Sequence, residues 1–498
     1  MATITKKYAR VLCAILAGLM AISCFTACGN GDDSAETTAA EAATEAATEA
    51  ATQNEAQIAL DAIGEIDYGG ETFTALYQSD IHRGKTEVYV ERGEEEEVNS
   101  DVVLSDAVFE RNTLFAERCN LEYMGMETTG AEVISKVRQE IQSNSGDFQL
   151  ISAHTTTTAS LATEMLLYNY LDLGIEFDGP WWNQGTASFN INNQVYFMHG
   201  SFNFTDDCST YVMIFNKDNY ENLGYELPYQ DVIDGKWTLD SFNALIQDFS
   251  EDKDGNGEYD DQDAYGFVCV QNYSENFFYG SGLRYTNHSA EEEPSVALDK
   301  SGLDKTATLL EKVRSIYHDG NVSYSAPFET AVTMFKENRG LFYGEVASYV
   351  INLNKEFEGA FGVLPVPKYE EKQEKYYTRA DGYGSAFALP ANVKKSDLMG
   401  DMMEMFAILS HQYVFPAFYD VVLTTKSTKD PQSIKMLDIV FQNRVYDLAM
   451  YFGFNMQGLF AKSAEGNANT FASEFKSVGS ARKFSQKSKD IFKNFYKD

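Results

Sequence analysis

Residues 236–267 read KWTLDSFNALIQDFSEDKDGNGEYDDQDAYGF and join a predicted helix to a loop rich in carboxylates. Thr238 stands where a helix N-cap is expected, because its hydroxyl can accept a hydrogen bond from a first-turn amide. The apolar residues that follow recur at i, i+3, i+4 and i+7, which predicts one buried face made of Phe242, Leu245, Ile246 and Phe249. We therefore predict a capped amphipathic helix that leads directly into the acidic loop.

The acidic loop has the residue spacing of an EF-hand calcium site. In such a loop oxygen ligands alternate around the cation and a glycine permits the sharp turn, here Gly257. The last place is an aspartate instead of the usual glutamate, and no helical pattern follows it at once. A solvated acidic turn is the alternative. We predict a structural Ca²⁺ with the ligand set Asp252, Asp254, Asn256, Glu258, Asp260 and Asp263.

The N-terminus has the features of an export signal. Basic residues precede a short apolar run, residues 11–22, that is followed by small residues. This run is shorter than the roughly 20 apolar residues that a membrane-spanning helix needs. Phe25-Thr26-Ala27-Cys28 resembles a bacterial lipoprotein box, with Ala21–Cys24 as a weaker competitor. We predict a signal peptide over 1–27 and lipidation of Cys28; plain secretion with an unmodified cysteine is the alternative.

Residues 28–65 are predicted to form a low-complexity tether. The sequence Glu-Ala-Ala-Thr occurs at 41–44 and again at 45–48 and 49–52. Such a stretch buries too little apolar surface to offset the entropy lost on ordering. The mature protein is therefore expected to be held at the outer face of the cytoplasmic membrane by its lipid anchor alone.

Composition limits the possible partners. The formal charge is −36 and would be −39 without the three basic residues of the signal peptide. A chain this acidic repels nucleic acid and anionic lipid, so neither is an expected partner. After processing, Cys119, Cys208 and Cys269 would remain, enough for at most one disulfide.

Strand and helix patterns alternate after the tether. Strands are predicted at 71–77, 121–126 and 148–151, and helices at 106–118, 131–142 and near 159–167. This alternation predicts an α/β fold with a parallel sheet, in which ligands bind beyond the carboxyl ends of the strands. Asp80, His154 and Thr155 follow two such strand ends and are candidate ligand contacts. For His154, a purely structural hydrogen bond is the alternative.

Several segments resemble the extracellular solute-binding proteins of bacterial ABC importers, in particular the family 1 members that bind maltose and maltodextrin. The resemblance rests on the order of elements ending at Asp147–Ile151 and on the crossing segment from Gln194–Phe197 to Met213–Lys217. It also rests on the helix and acidic loop described above and on three later segments, Met334–Tyr343, Phe361–Lys368 and Gly382–Pro390.

The resemblance implies a two-lobed, type II periplasmic-binding-protein-like fold with a hinge between the lobes. It places lobe 1 at 66–203 and 385–415, and lobe 2 at 204–384 and 416–498. It further implies a monomeric binding protein without enzymatic activity that passes a solute, most simply a neutral sugar or oligosaccharide, to the membrane subunits of an ABC permease. The methionine-rich helix at 399–409 is expected to fill the core.

Sugar sites combine aromatic rings with carboxylates and amides, so clustered residues of these types are the candidate contacts. Trp181 and Trp182 follow a Gly-Pro pair, and one of them is predicted to be a partly exposed platform. The resemblance adds segments that line the sugar site in the family. The remaining candidates are Tyr273, Phe277, Tyr343, Glu345, Asp381 and Tyr383. For each aromatic residue among them, burial in the core is the alternative.

Two functions from other classes remain open at this point. A surface glycoside hydrolase would need two carboxylates across a sugar, and acidic residues are plentiful. The sequence, however, has no G-x-S-x-G, H-E-x-x-H or P-loop motif and no cysteine–histidine signature. A solute-sensing receptor would use the same closure as a transporter, and the sequence does not separate the two.

Overall fold

The computed structural model describes residues 55–91, 101–325, 329–423 and 431–496. The predicted signal peptide, the lipidation site Cys28 and most of the tether lie outside these residues. Among the described helices, none combines the length and the apolar character needed to cross a membrane. The elements below all belong to one unit, Ile58–Asp498.

The strands are short, from two to seven residues each. They are β1 (Thr72–Gln78), β2 (Glu122–Thr128), β3 (Leu150–His154), β4 (Tyr211–Asn216), β5 (Tyr265–Val270), β6 (Thr286–Asn287), β7 (Ser295–Val296), β8 (Val322–Ser325), β9 (Gly340–Val346), β10 (Phe361–Leu364), β11 (Thr378–Arg379), β12 (Ser385–Ala388) and β13 (Arg444–Val445).

The helices range from one turn to five turns. They are α1 (Gly84–Val88), α2 (Asp101–Arg118), α3 (Val133–Ser143), α4 (Thr155–Thr163), α5 (Phe204–Cys208), α6 (Lys217–Asn222), α7 (Tyr229–Ile233), α8 (Leu239–Phe249), α9 (Glu275–Gly280), α10 (Lys300–His318), α11 (Glu329–Lys336), α12 (Ser348–Glu356), α13 (Ser396–Leu409), α14 (Phe415–Leu423), α15 (Pro431–Gln442), α16 (Leu448–Tyr451), α17 (Leu459–Glu465), α18 (Phe471–Val478) and α19 (Ala481–Ile491).

Two sheets carry the architecture. Sheet 1 has the order β12-β3-β1-β2, in which β1 is parallel to both neighbours and β12 runs antiparallel to β3. Sheet 2 has the order β10-β4-β9-β5-β8, with β9, β5 and β8 parallel and β4 antiparallel to both β9 and β10. A smaller two-stranded ribbon pairs β11 with β13.

The chain passes between the two sheets three times. It leaves sheet 1 after β3 and enters sheet 2 at β4, then returns from β10 to β12. It leaves again through α13 and α14, because α13 packs against α2 whereas α15 packs against β10 of sheet 2. The strands of sheet 1 fall at 72–154 and 385–388, and those of sheet 2 at 211–364. The lobe boundaries themselves stay a prediction.

The core follows the apolar patterns of the sequence. Thr238 and Ser241 form a reciprocal capping box at the start of α8, and Phe242 and Ile246 are fully buried against sheet 2. In α13 the four methionines of the predicted core helix are all buried: Met399, Met402, Met403 and Met405.

Two helices begin earlier than predicted. Helix α2 starts at Asp101, because the buried pair Leu104 and Val108 extends its apolar face by a turn. Helix α4 starts at Thr155, directly after β3, so the threonine run is its first turn instead of a loop. Within this first turn the Thr158 hydroxyl donates to the His154 carbonyl at 2.8 Å.

Folded structure also begins before the predicted end of the tether. The described residues 55–63 are helical, and Leu60 is only 1% exposed. The apolar Ile58-Ala59-Leu60 interrupts the low-complexity composition, and Ala59 and Leu60 supply apolar surface that this helix buries, whereas Ile58 is exposed. The three cysteines in the described residues, Cys119, Cys208 and Cys269, are buried.

Candidate functional site at the carboxyl ends of the two sheets

The carboxyl ends of the parallel strands bring polar side chains from both sheets together. Sheet 1 contributes Asp80, just after β1, and His154 at the end of β3. Sheet 2 contributes Glu345, which lies near the end of β9. The next residue, Val346, is paired with the first residue of β4. The returning segment between β11 and β12 runs past these strand ends and carries Asp381 and Tyr383.

His154 is held in one orientation by sheet 1. Its Nδ1 lies 3.0 Å from the side-chain nitrogen of Gln78, and its backbone N–H donates to the Gln78 side-chain oxygen at 3.1 Å. The ring of Tyr383 meets the imidazole edge to face, with centroids 5.1 Å apart. Burial lowers the pKa of His154, and the charges of Asp80 and Asp381 oppose this shift. The net direction favours the neutral imidazole, which can exchange hydrogen bonds with a hydroxyl.

Asp381 is the centre of the second half of the site. It accepts hydrogen bonds from the Tyr211 hydroxyl at 3.0 Å and from the Tyr383 amide at 3.1 Å. The Arg379 guanidinium lies 4.0 Å from its carboxylate and 4.4 Å from the Tyr211 ring centroid. Arg379 also donates to the Asn276 side chain at 2.9 Å, so it is fixed from two sides.

Glu345 is a nearly enclosed carboxyl group, 6% exposed. Burial raises its pKa to about 7, and the nearby Asp381 adds to the shift, while the Val346 amide and Arg379 oppose it. One of its oxygens accepts the Val346 N–H at 2.9 Å. Near neutral pH this group can therefore act either as a hydrogen-bond donor or as an acceptor.

Together these groups suit the recognition of a polar, uncharged molecule. The site combines hydrogen-bond acceptors and donors, and Tyr383, 66% exposed, presents an exposed aromatic ring beside them. An aromatic face covers the C–H surface of a sugar ring, and the surrounding polar groups bind its hydroxyls.

Comparison with known proteins identifies the fold. No protein-family model and no curated protein sequence matches the chain. Among solved structures, it is similar to the galacto-N-biose/lacto-N-biose I-binding protein of the ABC transporter from Bifidobacterium longum, with a TM-score of 0.55 and 14% identity over 86% of this chain and 98% of that one. A cyclo/maltodextrin-binding protein complexed with maltotetraose has a TM-score of 0.54 and 11% identity over 85% and 97%.

This is the two-lobed fold of type II solute-binding proteins. UgpB from Mycobacterium tuberculosis, solved with glycerophosphocholine, shares it with a TM-score of 0.50 and 13% identity, over 80% of this chain and 95% of that one. The ligands of these neighbours thus differ in chemistry, and the solute must be argued from the side chains.

The solute-binding fold brings part of the predicted site together. Asp80, His154, Glu345, Asp381 and Tyr383 all lie at the carboxyl ends described above. Thr155 lies beside them but is only 1% exposed, and its hydroxyl is 3.1 Å from both the Gly384 carbonyl and the His199 ring. It is therefore placed to support the site from behind and not to present its hydroxyl to solvent.

The tryptophan pair lies elsewhere, and the predicted exposed platform is wrong. Trp181 and Trp182 are 6% and 4% exposed. Both indole N–H groups donate to one carboxylate, that of Glu404 in α13, at 2.6 and 3.1 Å. Two adjacent side chains can be buried together because this single carboxylate satisfies both of their polar atoms. Burial raises the pKa of Glu404 to about 7, opposed by the two indole hydrogen bonds.

Three other predicted aromatics are core residues. Tyr273, Phe277 and Tyr343 are fully buried. Tyr273 donates to the Val212 carbonyl at 2.8 Å, and the ring of Tyr343 packs on Phe335 with centroids 5.7 Å apart. The segment around Phe277 reads as a polar loop in the sequence but forms the short helix α9, every residue of which is buried. These residues support sheet 2 and lie behind the site.

The sequence did not single out three residues of the site: Gln78, Tyr211 and Arg379. Gln78 could have been found by the same strand-end rule that identified Asp80, because it is the last residue of β1. Tyr211 begins a strand, and only the antiparallel pairing of β4 with β9 brings that end to the site. No local pattern in the sequence identifies Arg379 as a residue of the site.

The acidic loop lies at the opposite end of sheet 2. It precedes β5 and therefore sits at the amino end of that strand, away from Glu345. Carboxylate oxygens of Asp252, Asp254 and Asp263 all lie within 4.8 Å of one another. Asp263 is fully buried and accepts the backbone N–H groups of Lys253 and Asp260, each at 2.8 Å. A set of converging carboxylates fits a hard divalent cation.

Proposed function

We propose that this protein captures a neutral sugar or oligosaccharide at the carboxyl ends of its two sheets and delivers it to an ABC permease. The observation that carries the proposal is the continuous cluster running from His154 of sheet 1 through Tyr383 and Asp381 to Tyr211 of sheet 2. A solute held there contacts groups from both halves of the fold.

Contact with both halves is what couples binding to closure. Open and closed forms of a hinged protein exchange, and a ligand favours the form in which it makes more contacts. The closed form would then be the one that the permease recognises. Three crossing segments joining the two sheets are suited to such a motion.

The charges favour an uncharged solute over an anionic one. Three carboxyl groups border the site, those of Asp80, Glu345 and Asp381. The Arg379 guanidinium already lies beside Asp381 and is 4% exposed. A phosphate or carboxylate entering the site would therefore meet the negative charge of these carboxyl groups.

We further propose that the protein is exported and tethered by lipid at Cys28, that it acts as a monomer, and that its acidic loop binds a structural calcium ion. The converging oxygens of Asp252, Asp254 and Asp263 support the calcium proposal. The loop lies away from the site, so the cation would stabilise the end of sheet 2 and leave solute contacts unchanged.

A thermal-shift screen tests the main proposal. A ligand that binds only the folded state raises the free energy of unfolding by RT ln(1 + [L]/Kd), and the unfolding midpoint rises with it. We expect maltodextrins or other neutral oligosaccharides to raise the midpoint, and the Tyr383→Ala variant to lose the response while keeping its own midpoint. Glycerophosphocholine, polyamines and short peptides are the matched comparison.

A response to one of those compounds and to no sugar would refute the carbohydrate assignment. Release of a chromophore from aryl glycosides by the purified protein would instead favour the glycoside-acting alternative. Neither result is expected from a binding protein that recognises a neutral sugar.

A further inference from the structure

A cavity of about 420 Å³ lies among the crossing segments, apart from the candidate site. Its walls come from the tryptophan pair after β3, from Asp207 in the crossing helix α5 and from α14 and α15. It shares no lining residue with the candidate site. The volume lies within the range of roughly 300–1,000 Å³ that is typical of small-molecule sites.

The β11–β13 ribbon separates this cavity from the candidate site. Thr378 is paired with Arg444, and Arg379 with Val445. Side chains alternate between the faces of a strand, so Arg379 and Arg444 project from opposite faces of the ribbon. Arg379 reaches Asp381 at the candidate site, whereas Arg444 forms ion pairs with Asp207 and Asp206 on the cavity side.

The lining of the cavity combines aromatic and polar side chains. Phe415, Tyr419 and Phe441 are partly exposed there. The indole N–H of Trp182 is already bound to Glu404, so its apolar ring is what remains for the cavity. The polar lining includes Ser201, Asn183, Gln442 and Asp438.

The charged side chains of the lining are two carboxylates, Asp207 and Asp438, and one guanidinium, Arg444. Asp207 is paired with Arg444, and the Arg444 guanidinium lies 5.3 Å from the Phe441 ring centroid. Asp438 accepts a hydrogen bond from the Tyr419 hydroxyl at 3.3 Å. Aromatic rings beside hydroxyl, amide and carboxylate groups, without excess positive charge, match an uncharged molecule rich in hydroxyls.

We propose that this cavity is a second binding site, which takes a single sugar ring or a polyol of similar size. The inference does not depend on the identity of the main solute. The coupling between the two sites rests on the hinge motion proposed above: because the cavity and the candidate site lie on opposite faces of the ribbon, opening the main site would compress the cavity. An occupant of the cavity therefore opposes opening and strengthens solute binding at the main site, and by reciprocity the main solute strengthens binding in the cavity.

Indole fluorescence gives a direct test, since two of the three tryptophans of the chain lie in the cavity wall. The third, Trp237, is 1% exposed in the core of sheet 2 and gives a constant background. The full-length mature protein is titrated with D-glucose, D-galactose and xylitol. The variants are Phe441→Ala and Gln442→Ala in the cavity, with Tyr383→Ala at the candidate site as the matched control.

We expect a saturable fluorescence change with at least one probe that is weakened about tenfold by Phe441→Ala, equivalent to about 1.4 kcal/mol. Gln442 is exposed, so Gln442→Ala should fold normally and weaken the change in the same direction. Tyr383→Ala should keep the response within about a factor of two, a coupling effect at most.

Three outcomes would overturn the second site. One is a response that Tyr383→Ala abolishes while both cavity variants retain it, since the probe would then bind only at the main site. Another is that Gln442→Ala leaves the fluorescence response unchanged, while Phe441→Ala loses both the response and the fold. The fold of each variant is measured by circular dichroism. The third is the absence of any saturable change with all three probes.

Discussion

Glu87 lies where two of the crossing segments meet, and replacing it with glutamine should change how stability depends on pH. Its carboxyl group is fully buried. One oxygen accepts the backbone N–H of Thr205 at 2.8 Å, and the other accepts the hydroxyl of Ser385 at 2.6 Å. Thr205 belongs to the first crossing and Ser385 to the second. Arg111, also buried, donates to the Glu87 carbonyl and not to its carboxyl group.

The expected size follows from the pKa of this group. Burial raises the pKa of Glu87 from 4.5 to about 8, although hydrogen bonds from Ser385 and Thr205 and the charge of Arg111 act against the shift. The folded state thus holds the proton more tightly than the unfolded state. The associated stability is fully present below pH 4.5 and is lost as the pH rises through about 8. Each pH unit corresponds to 1.36 kcal/mol, so the interval from pH 4.5 to about pH 8 corresponds to a change in the free energy of unfolding of about 5 kcal/mol as an upper bound.

The assay is urea unfolding of the wild type and of Glu87→Gln between about pH 5 and pH 9. Glu345 and Glu404 also have raised pKa values. They are present in both proteins, so the difference between the two profiles isolates Glu87. We expect the wild type to lose several kcal/mol more than the variant over this range.

Glu140→Gln is the matched control with the opposite sign. Four hydrogen bonds, led by those of Ser145 and Asn392, outweigh burial and lower the pKa of Glu140. Its contribution is lost only on acidification, so this variant should differ from the wild type by a constant amount from pH 5 upward. Parallel profiles for the wild type and Glu87→Gln would refute the reasoning, because Glu87 would then be ionised in the folded state at no cost.

Three further predictions concern the calcium loop, the candidate site and the buried thiols. Chelation should lower the unfolding midpoint of the wild type but not that of Asp254→Ala, with solute affinity unchanged in both; loss of affinity would place the loop in the binding site. Tyr211→Phe removes the hydrogen bond to Asp381 and should weaken solute binding by about 1 kcal/mol in calorimetry; unchanged affinity would remove Tyr211 from the site. Burial raises the pKa of Cys119 to about 12, so it should react with a thiol reagent only after denaturant is added, and prompt labelling of the folded protein would contradict its burial.

The sequence predicted best what depends on local periodicity. Helix α8 begins and ends where the capping residue and the apolar spacing indicate, and the end of β3 led directly to His154. Strand-end reasoning works because every parallel strand delivers its carboxyl end to the same edge of the sheet.

Contacts between distant segments could not be predicted in this way. The burial of Trp181 and Trp182 depends on Glu404, and Arg379 reaches the site through a ribbon formed with β13. Phe277 misled the prediction because a short helix can bury residues that a polar loop would expose. In each case the deciding partner lies far away in the chain, where composition and spacing carry no signal.

The position of β12 has a consequence for how the molecule is assembled. This strand completes sheet 1 by pairing with β3, yet the chain makes it only after every strand of sheet 2. Until the chain has been made as far as Ala388, the edge of β3 that pairs with β12 stays unpaired and sheet 1 is incomplete. Pairings between such distant segments form slowly. The two halves of the fold are therefore expected to fold together. A fragment ending after β10 would lack part of both halves.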